Sequence, residues 1–408
     1  MDWLKVNFWE IKQSSSLRWL GFLLSLSHLI SFFLWTSQSH PPLMYYAEEA
    51  PMCWSFFENC GIMRFLPLGQ LTFIYYVYPV FALLAALMFI GHRLYGGGWF
   101  FLLIAFILKS LLYFQDSRLS NNAHYLLFVS HIVYLFIPQK KAIFKYLIVS
   151  FIVTSGLLKL NADWLSGMWI HQHTGLHLKV CEWLAALSAL AELILPWLIV
   201  SRKSQNIVIG FLSLVAYFIS YFFIGDALGP VCSLLFLSFY PAYYIEQRRV
   251  EMEYLYRSYI RPEASQAWVP LILLIFWSLQ TFPFIKYQNP NFNLITESFA
   301  LQGYPAAAEC YQTSFASFEN ETRELGVNHD KSQGEHRECN PFMRFLDVKA
   351  LCHQLTQQAG FQNIASSFVI RGLNDKKFKR IFESSEICNE NINFRTVGQS
   401  KWNLNLGD

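Results

Sequence analysis

The chain has 408 residues, of which 54% are apolar and only 14% charged, with 38 Phe against 31 Lys plus Arg and 28 Asp plus Glu. So few charges cannot cover a water-soluble surface of this size, and a net charge of only +3 gives no footprint for nucleic-acid binding. A lipid bilayer is the expected surrounding.

In chain order, apolar blocks fall at 16–35, 70–91, 98–114, 123–137, 143–158, 183–201, 206–224, 228–244 and 267–284. Helices are the form in which such blocks cross about 30 Å of hydrocarbon, because a helix satisfies its own backbone. The predicted fold class is an all-α polytopic membrane bundle of about nine transmembrane helices over residues 1–285. A small α+β extracytoplasmic domain follows over residues 286–408. Block 98–114 contains Lys109 and block 143–158 is short, so eight spans with one re-entrant block is the alternative. The first block has no small-residue cleavage site before Pro41 and Pro42 and reads as a retained span.

The loops alternate in charge. Lys5, Lys12 and Arg18 precede or open the first span, and His92 and Arg93 follow the second. Lys140, Lys141 and Lys145 follow the fourth, Arg202 and Lys203 the sixth, and Arg248, Arg249, Arg257 and Arg261 the eighth. The intervening loops hold few basic residues. The positive-inside rule therefore predicts a cytoplasmic N-terminus and an external tail. Cys53 and Cys60 share the first external loop, and Cys310, Cys339, Cys352 and Cys388 lie in the tail. An oxidising compartment would let these six cysteines form up to three bridges, whose pairing the sequence leaves open. Cys53–Cys60 within one loop and a bridge from that loop to the tail are the alternatives. In the tail, residues 346–359 predict a short helix ended by Gly360, and residues 363–373 a strand and turn.

Polar residues gather at the predicted external ends of spans four to six. Lys159 closes the fifth span, followed by Asp163 and Trp164. Lys159 either snorkels to headgroups, with Trp164 as an interfacial belt residue, or faces an internal cavity as a base or proton donor. On a continuing helix Asp163 would share its face. The fourth span opens with Asn121, Asn122 and His124, at a depth similar to that of Lys159; the asparagines suit a helix cap, and the imidazole suits an oxygen anion. His131 lies seven residues deeper. His173 and His177 have an i, i+4 spacing that would suit a metal only on a helix, and with His171 they form no complete zinc signature. Glu192 lies in the middle of the sixth span, where a carboxylate needs a partner or a cavity; Arg18 and Lys109 are the candidate partners.

Leu17-Arg18, Asn121-Asn122 with His124, the stretch Gly156 to Trp164, Glu192-Leu193 and Gln280-Thr281-Phe282-Pro283 together resemble the membrane domain of the vitamin K-dependent gamma-carboxylase family, whose bacterial members are grouped as the horizontally transferred transmembrane family. The resemblance covers roughly residues 10–290. It implies a helical bundle with a reaction chamber opening on the external side. It also implies a reduced quinone cofactor, such as vitamin K hydroquinone or menaquinol, with Lys159 as the base that deprotonates it and His124 as a second functional residue. The chain departs from the pattern at Leu158, where the family carries another lysine, and at Ala123, which displaces His124 by one place. The 120-residue tail is also smaller than the family's propeptide-recruiting region.

Two functions follow as expectations. One is a membrane enzyme modifying an exported peptide or a lipophilic, quinol-like substrate, with Lys159 and His124 at its centre and Asn121, Asn122, Asp163, Trp164, Glu192 and Arg18 in support. The other is a non-catalytic maturation, export or immunity partner that binds a secreted peptide through its disulfide-held tail.

Overall fold

The computed structural model describes residues 2–37, 66–91, 94–115, 122–200, 204–222, 228–254, 268–286, 308–325, 341–372 and 377–390. Thirteen helices occupy the described residues up to Lys286. They are α1 (Asp2–Gln13), α2 (Ser15–Ser37), α3 (Leu68–Ile90), α4 (Tyr95–Gln115), α5 (Asn122–Phe136), α6 (Lys140–Leu158), α7 (Ala162–Leu165) and α8 (Met168–Thr174), then α9 (Leu178–Val200), α10 (Ser204–Phe222), α11 (Leu228–Leu237), α12 (Phe239–Tyr254) and α13 (Trp268–Lys286).

Five of these, α2, α3, α4, α6 and α9, are long and apolar enough to cross a membrane. Their outer faces match an oily solvent. On α9, Trp183, Leu187, Leu190, Ile194 and Trp197 are all exposed and recur at helical spacing, an apolar stripe that water would not tolerate. The chain is thus an integral membrane protein.

The expected nine spans reduce to five by this measure among the described residues, and the reasons differ by block. Helix α5 has 15 residues, and the apolar parts of α10 and α13 run over Asn206–Ile219 and Trp268–Thr281. Block 228–244 is not one helix: it breaks at Ser238 into α11 and α12. The ten residues of α11 rise only about 15 Å, half the hydrocarbon thickness. The Ser238 carbonyl at this break accepts the Trp19 indole N–H at 3.2 Å. Blocks 98–114 and 143–158, the least secure by sequence, are both among the five. Lys109 does not interrupt α4, because its buried ammonium donates to Ser31 Oγ at 2.9 Å.

Helix α6 runs through the core of the bundle, with Ile143, Phe144, Leu147, Ile148 and Phe151 buried among Phe- and Leu-rich neighbours. Both α6 and α2 begin at carboxylates supplied by other segments. Glu10 of α1 accepts the backbone N–H groups of Gln139 at 2.6 Å and Lys140 at 3.2 Å. Glu246 of α12 accepts the Ser16 N–H at 2.9 Å and the Ser14 and Ser16 hydroxyls, and pairs with Lys141. Ser14 Oγ in turn caps the Leu17 N–H at 3.1 Å. A helix start exposes unsatisfied N–H groups and a positive dipole end, so carboxylates answer both needs. Helices α2, α3 and α5 meet at Gly21, where a Cβ would lie 2.3 Å from Tyr134 OH and 2.6 Å from Phe89 Cζ.

The C-terminal domain lies outside the membrane-spanning part and is an antiparallel sheet of β1 (Ala308–Phe318), β2 (Thr322–Leu325), β3 (Phe361–Gly372) and β4 (Lys379–Ser384), in the order β2-β1-β3-β4. Helix α14 (Pro341–Leu355) packs on β3. The expected helix and strand are both present, with Gly360 in the turn between them at φ +78°. Ala316, Ile364, Phe345, Val348 and Ile387 form the core. Within the sheet Ser314 Oγ bonds Ser366 Oγ at 2.8 Å, and Gln312 donates to the Arg344 carbonyl at 3.2 Å. Cys352 is bonded to Cys388, tying α14 to the turn after β4. Cys310 is also disulfide-bonded, while Cys53, Cys60 and Cys339 lie outside the described residues.

Two outcomes follow. Cutting the Cys352–Cys388 link with Cys352→Ser releases a 36-residue connection and should cost about 2–4 kcal/mol, read as faster hydrogen exchange of the β1 and β3 amides in the full-length protein. For Glu246, burial pushes the carboxyl up, but its bonds to Lys141 and Ser16 outweigh that and hold it below the usual 4.5. A depressed carboxyl stabilises fully above its ordinary value and loses that stabilisation as pH falls through the folded value. Tm should therefore fall on acidification below about pH 4.5, and Glu246→Gln should start lower and lose less over the same range.

Candidate functional site

The end of α6 turns a lysine into the bundle. Lys159 caps the helix, its N–H reaching the Ser155 and Gly156 carbonyls at 3.2 Å. Asn161 then closes one helix and opens the next: its Nδ2 donates to the Leu158 carbonyl at 2.6 Å and its Oδ1 accepts the Trp164 N–H at 2.7 Å. This break means that α6 does not continue to residue 163, so the expected common face of Lys159 and Asp163 is lost; the Asp163 side chain lies outside the described residues. The chain folds back along the start of α9. Gly167 makes this possible at φ +67°, because a Cβ there would sit 2.4 Å from the Cys181 and Glu182 backbone.

The Lys159 side chain is 0% exposed and Glu192, on α9, is 2% exposed. Lys159 Nζ donates to Glu192 Oε1 at 2.6 Å and to the Tyr217 hydroxyl of α10 at 2.8 Å. Tyr217 OH itself donates to the same Oε1 at 2.8 Å. The three groups close a ring of hydrogen bonds across three helices. The ammonium also lies 4.9 Å from the Trp164 ring centroid and 5.5 Å from that of Tyr217, in cation–π range. Gly156 permits the approach of α6 to α9: a Cβ there would meet Glu192 Cβ at 3.0 Å and the Ala189 carbonyl at 3.2 Å.

Three expectations are corrected here. The partner of Glu192 is Lys159, rather than Arg18 or Lys109; Arg18 is half-buried in the first turns of α2, and Lys109 bonds Ser31. Lys159 does not snorkel. Trp164 is no belt residue either: it is buried, and its indole N–H donates to the Ala185 carbonyl at 3.1 Å and Ser188 Oγ at 3.2 Å. The spacing of His173 and His177 also falls across a helix end, because α8 stops at Thr174 and Gly175 follows at φ +66°. His171 uses Nδ1 on the Leu176 carbonyl at 2.5 Å.

His124 has a different set of neighbours. Its ring packs 4.7 Å from Trp35 of α2 and 6.1 Å from Tyr113 of α4. Deeper along the same helix, His131 and His28 of α2 lie with ring centroids 4.5 Å apart, and Lys109 sits 5.3 Å over Trp35. His131 Nδ1 lies 2.6 Å from the Leu127 carbonyl and donates its proton there. Among the described residues the bundle thus holds, besides the groups at the start of α6 and α2, one buried polar cluster around Lys159 and one of His28, His124, His131 and Lys109. Asn121 and the side chain of Asn122 lie outside the described residues, although α5 does begin at Asn122. Tyr217 and His28 were missed by sequence, because a lone Tyr or His in an apolar block carries no motif; Lys159 with Trp164 and the intramembrane charge at Glu192 were the signals that pointed to the first cluster.

No protein-family model, curated protein or solved structure matches this chain.

The ion pair has a specific energetic signature. Removing one partner of a buried pair typically costs about 3–5 kcal/mol, whereas replacing both with apolar residues is often neutral. Lys159→Met should therefore lower the stability of the micelle-solubilised protein sharply, and adding Glu192→Leu should restore most of the loss in denaturant titrations.

Proposed function

We propose that this chain is a membrane enzyme that performs proton-transfer chemistry at Lys159, Glu192 and Tyr217 on an exported peptide or a lipophilic, quinol-like substrate. The observation that carries this reading is a fully buried ammonium held by a carboxylate and a phenol. In an apolar bundle such a cluster is costly to maintain, and it provides both a proton acceptor and a fixed positive charge for an anion formed beside it. The resemblance to the gamma-carboxylase family supports the same location, with a reduced quinone as candidate cofactor.

In this reading the topology is the nine-span one given by the loop charges, with α11 and α12 together making one pass. The N-terminus is cytoplasmic and the Lys159 end of α6 is external. The Cys352–Cys388 bridge supports an oxidising location for the tail. His124 serves the second cluster, on the approach to the bundle interior.

The test compares exported peptides and membrane quinones, by mass spectrometry, from cells with and without the protein. Lys159→Ala should abolish any mass shift that depends on the protein, including that of one added carboxyl group, when the yield is normalised to the amount of folded protein in the membrane. An unchanged yield in that variant overturns the assignment.

A second reading, a non-catalytic partner of a secreted peptide, is favoured by one feature of the tail. The sheet face opposite α14 carries exposed Tyr311, Phe315 and Phe378, with Arg371 stacked on Phe378 at 4.5 Å. Under that reading, Tyr311 and Phe315 substitutions weaken peptide crosslinking and Lys159 substitutions are silent.

A further inference from the structure

The two carboxylate oxygens of Glu192 differ. Oε1 accepts hydrogen bonds from Lys159 at 2.6 Å and from Tyr217 at 2.8 Å. Oε2 is buried and has no hydrogen-bond partner among the described residues. A charged oxygen left bare in an apolar interior is among the most expensive arrangements a protein can hold. Its chemistry is to accept a hydrogen bond, or a proton, from a group brought to it.

We propose that Glu192 Oε2 is the proton acceptor of this site, that Lys159 is its counter-cation rather than its base, and that the substrate group is the neutral hydroxyl of an aromatic ring. This rests on the reading of the cluster as a proton-transfer centre. Lys159 donates in its bonds to Glu192 and to Tyr217, so it has no lone pair to offer while it holds Glu192. For it to act as the base it would first have to pass a proton on, either out of the site, stranding the Glu192 carboxylate without its counter-charge, or to Glu192, which is then again the group that takes up the proton.

Transfer to Oε2 keeps the charges balanced. The substrate O–H bond breaks, its electron pair stays on the aryl oxygen, and an O–H bond forms on Oε2. Glu192 becomes neutral, and the Lys159 ammonium then faces one new anion, the aryl oxide. The Lys159–Glu192 pair and the substrate together carry one positive and one negative charge before and after the step, so the step creates no net charge in the low-dielectric interior. Tyr217 is a positioning residue that holds Oε1 and so aims Oε2. An anionic substrate would be repelled by the carboxylate, which restricts the ligand to a neutral donor. The aromatic faces of Trp164 and Tyr217 beside the ammonium suit an aryl ring.

The experiment uses full-length protein in lipid nanodiscs and p-nitrophenol, a chromogenic phenol, buffered well below the probe's own pKa. Equilibrium dialysis measures binding, visible absorption measures the aryl oxide, and infrared difference spectroscopy detects a protonated carboxyl. The wild type should show the aryl-oxide band together with a carboxylic-acid C=O band that shifts on 13C-glutamate labelling. Glu192→Gln should lose both, and Glu192→Asp, which keeps the charge but withdraws the oxygen, should weaken both. The aspartate variant also serves if the glutamine variant does not fold. An aryl-oxide band that persists in Glu192→Gln, or that appears in the wild type without the carboxylic-acid band, overturns Glu192 as acceptor and leaves the proton-transfer reading standing. A wild type that fails to bind the probe, or binds it without forming the oxide, overturns both.

Discussion

A charge inside an apolar bundle must arrive with its counter-charge, and the Lys159–Glu192 pair is where this chain meets that demand. Much local structure is arranged around it. Gly156 lets α6 come close enough to α9 for the two side chains to meet. Asn161 ends one helix and starts the next, so the chain folds Trp164 back under the ammonium instead of leading it out to the interface. Tyr217 brings α10 into the same contact. The pair therefore fixes the relative depth of α6 and α9 as well as their separation: sliding either helix by one turn, about 5.4 Å, would leave two buried charges apart.

The other end of α6 obeys the same rule with different groups. There the charges are Glu10 and Glu246, and they satisfy the first N–H groups of α6 and of α2 together with serine hydroxyls and the Lys141 ammonium. A carboxylate borrowed from another segment caps a helix and fastens two elements at once. It also explains how α1, whose sequence is too polar to be a span, is held to the bundle: Glu10 binds the start of α6, and Asn7 binds the Lys140 ammonium. Helix α6 is thus pinned at both ends by ionised side chains, while between them it packs through apolar side chains and one hydrogen bond from Tyr240 to the Lys145 carbonyl.

The sequence made the helical blocks legible because hydropathy is a one-dimensional property. Every apolar block is helical where it is described, and Lys109 was no obstacle once its ammonium found Ser31. The break at Ser238 is marked in the sequence by Pro241, which has no N–H for the Leu237 carbonyl and whose ring crowds it, but the hydropathy of block 228–244 passes over it; Trp19, from a distant segment, donates to the Ser238 carbonyl there. In the site, Glu192 announced that it needed a partner, since a mid-span carboxylate is costly wherever it occurs. Which partner it takes was not readable. Lys159 stands at a helix end, where a lysine ordinarily reaches for headgroups, and the turn at Asn161 that redirects it is a tertiary result. Grouping His124 with Lys159 by depth failed to predict their neighbours for a related reason. Loop counting gives depth along the membrane normal, but the direction a side chain faces around the bundle depends on packing, and His124 faces Trp35 and Tyr113.

Stability alone does not account for the Lys159 cluster. Apolar residues of similar volume would fill the space between α6, α9 and α10 at no greater free-energy cost, because desolvating two ions consumes most of what their attraction returns. A pair serving only to fasten helices would also be expected to use both carboxylate oxygens, as Glu10 and Glu246 do at the opposite end of α6, where each has its two oxygens engaged. Glu192 is the exception. It commits one oxygen to two donors and holds the other bare at the same depth. That asymmetry is a cost the fold carries without structural return, and a group that chemistry requires to be unsatisfied at rest is the kind for which such a cost is sustained.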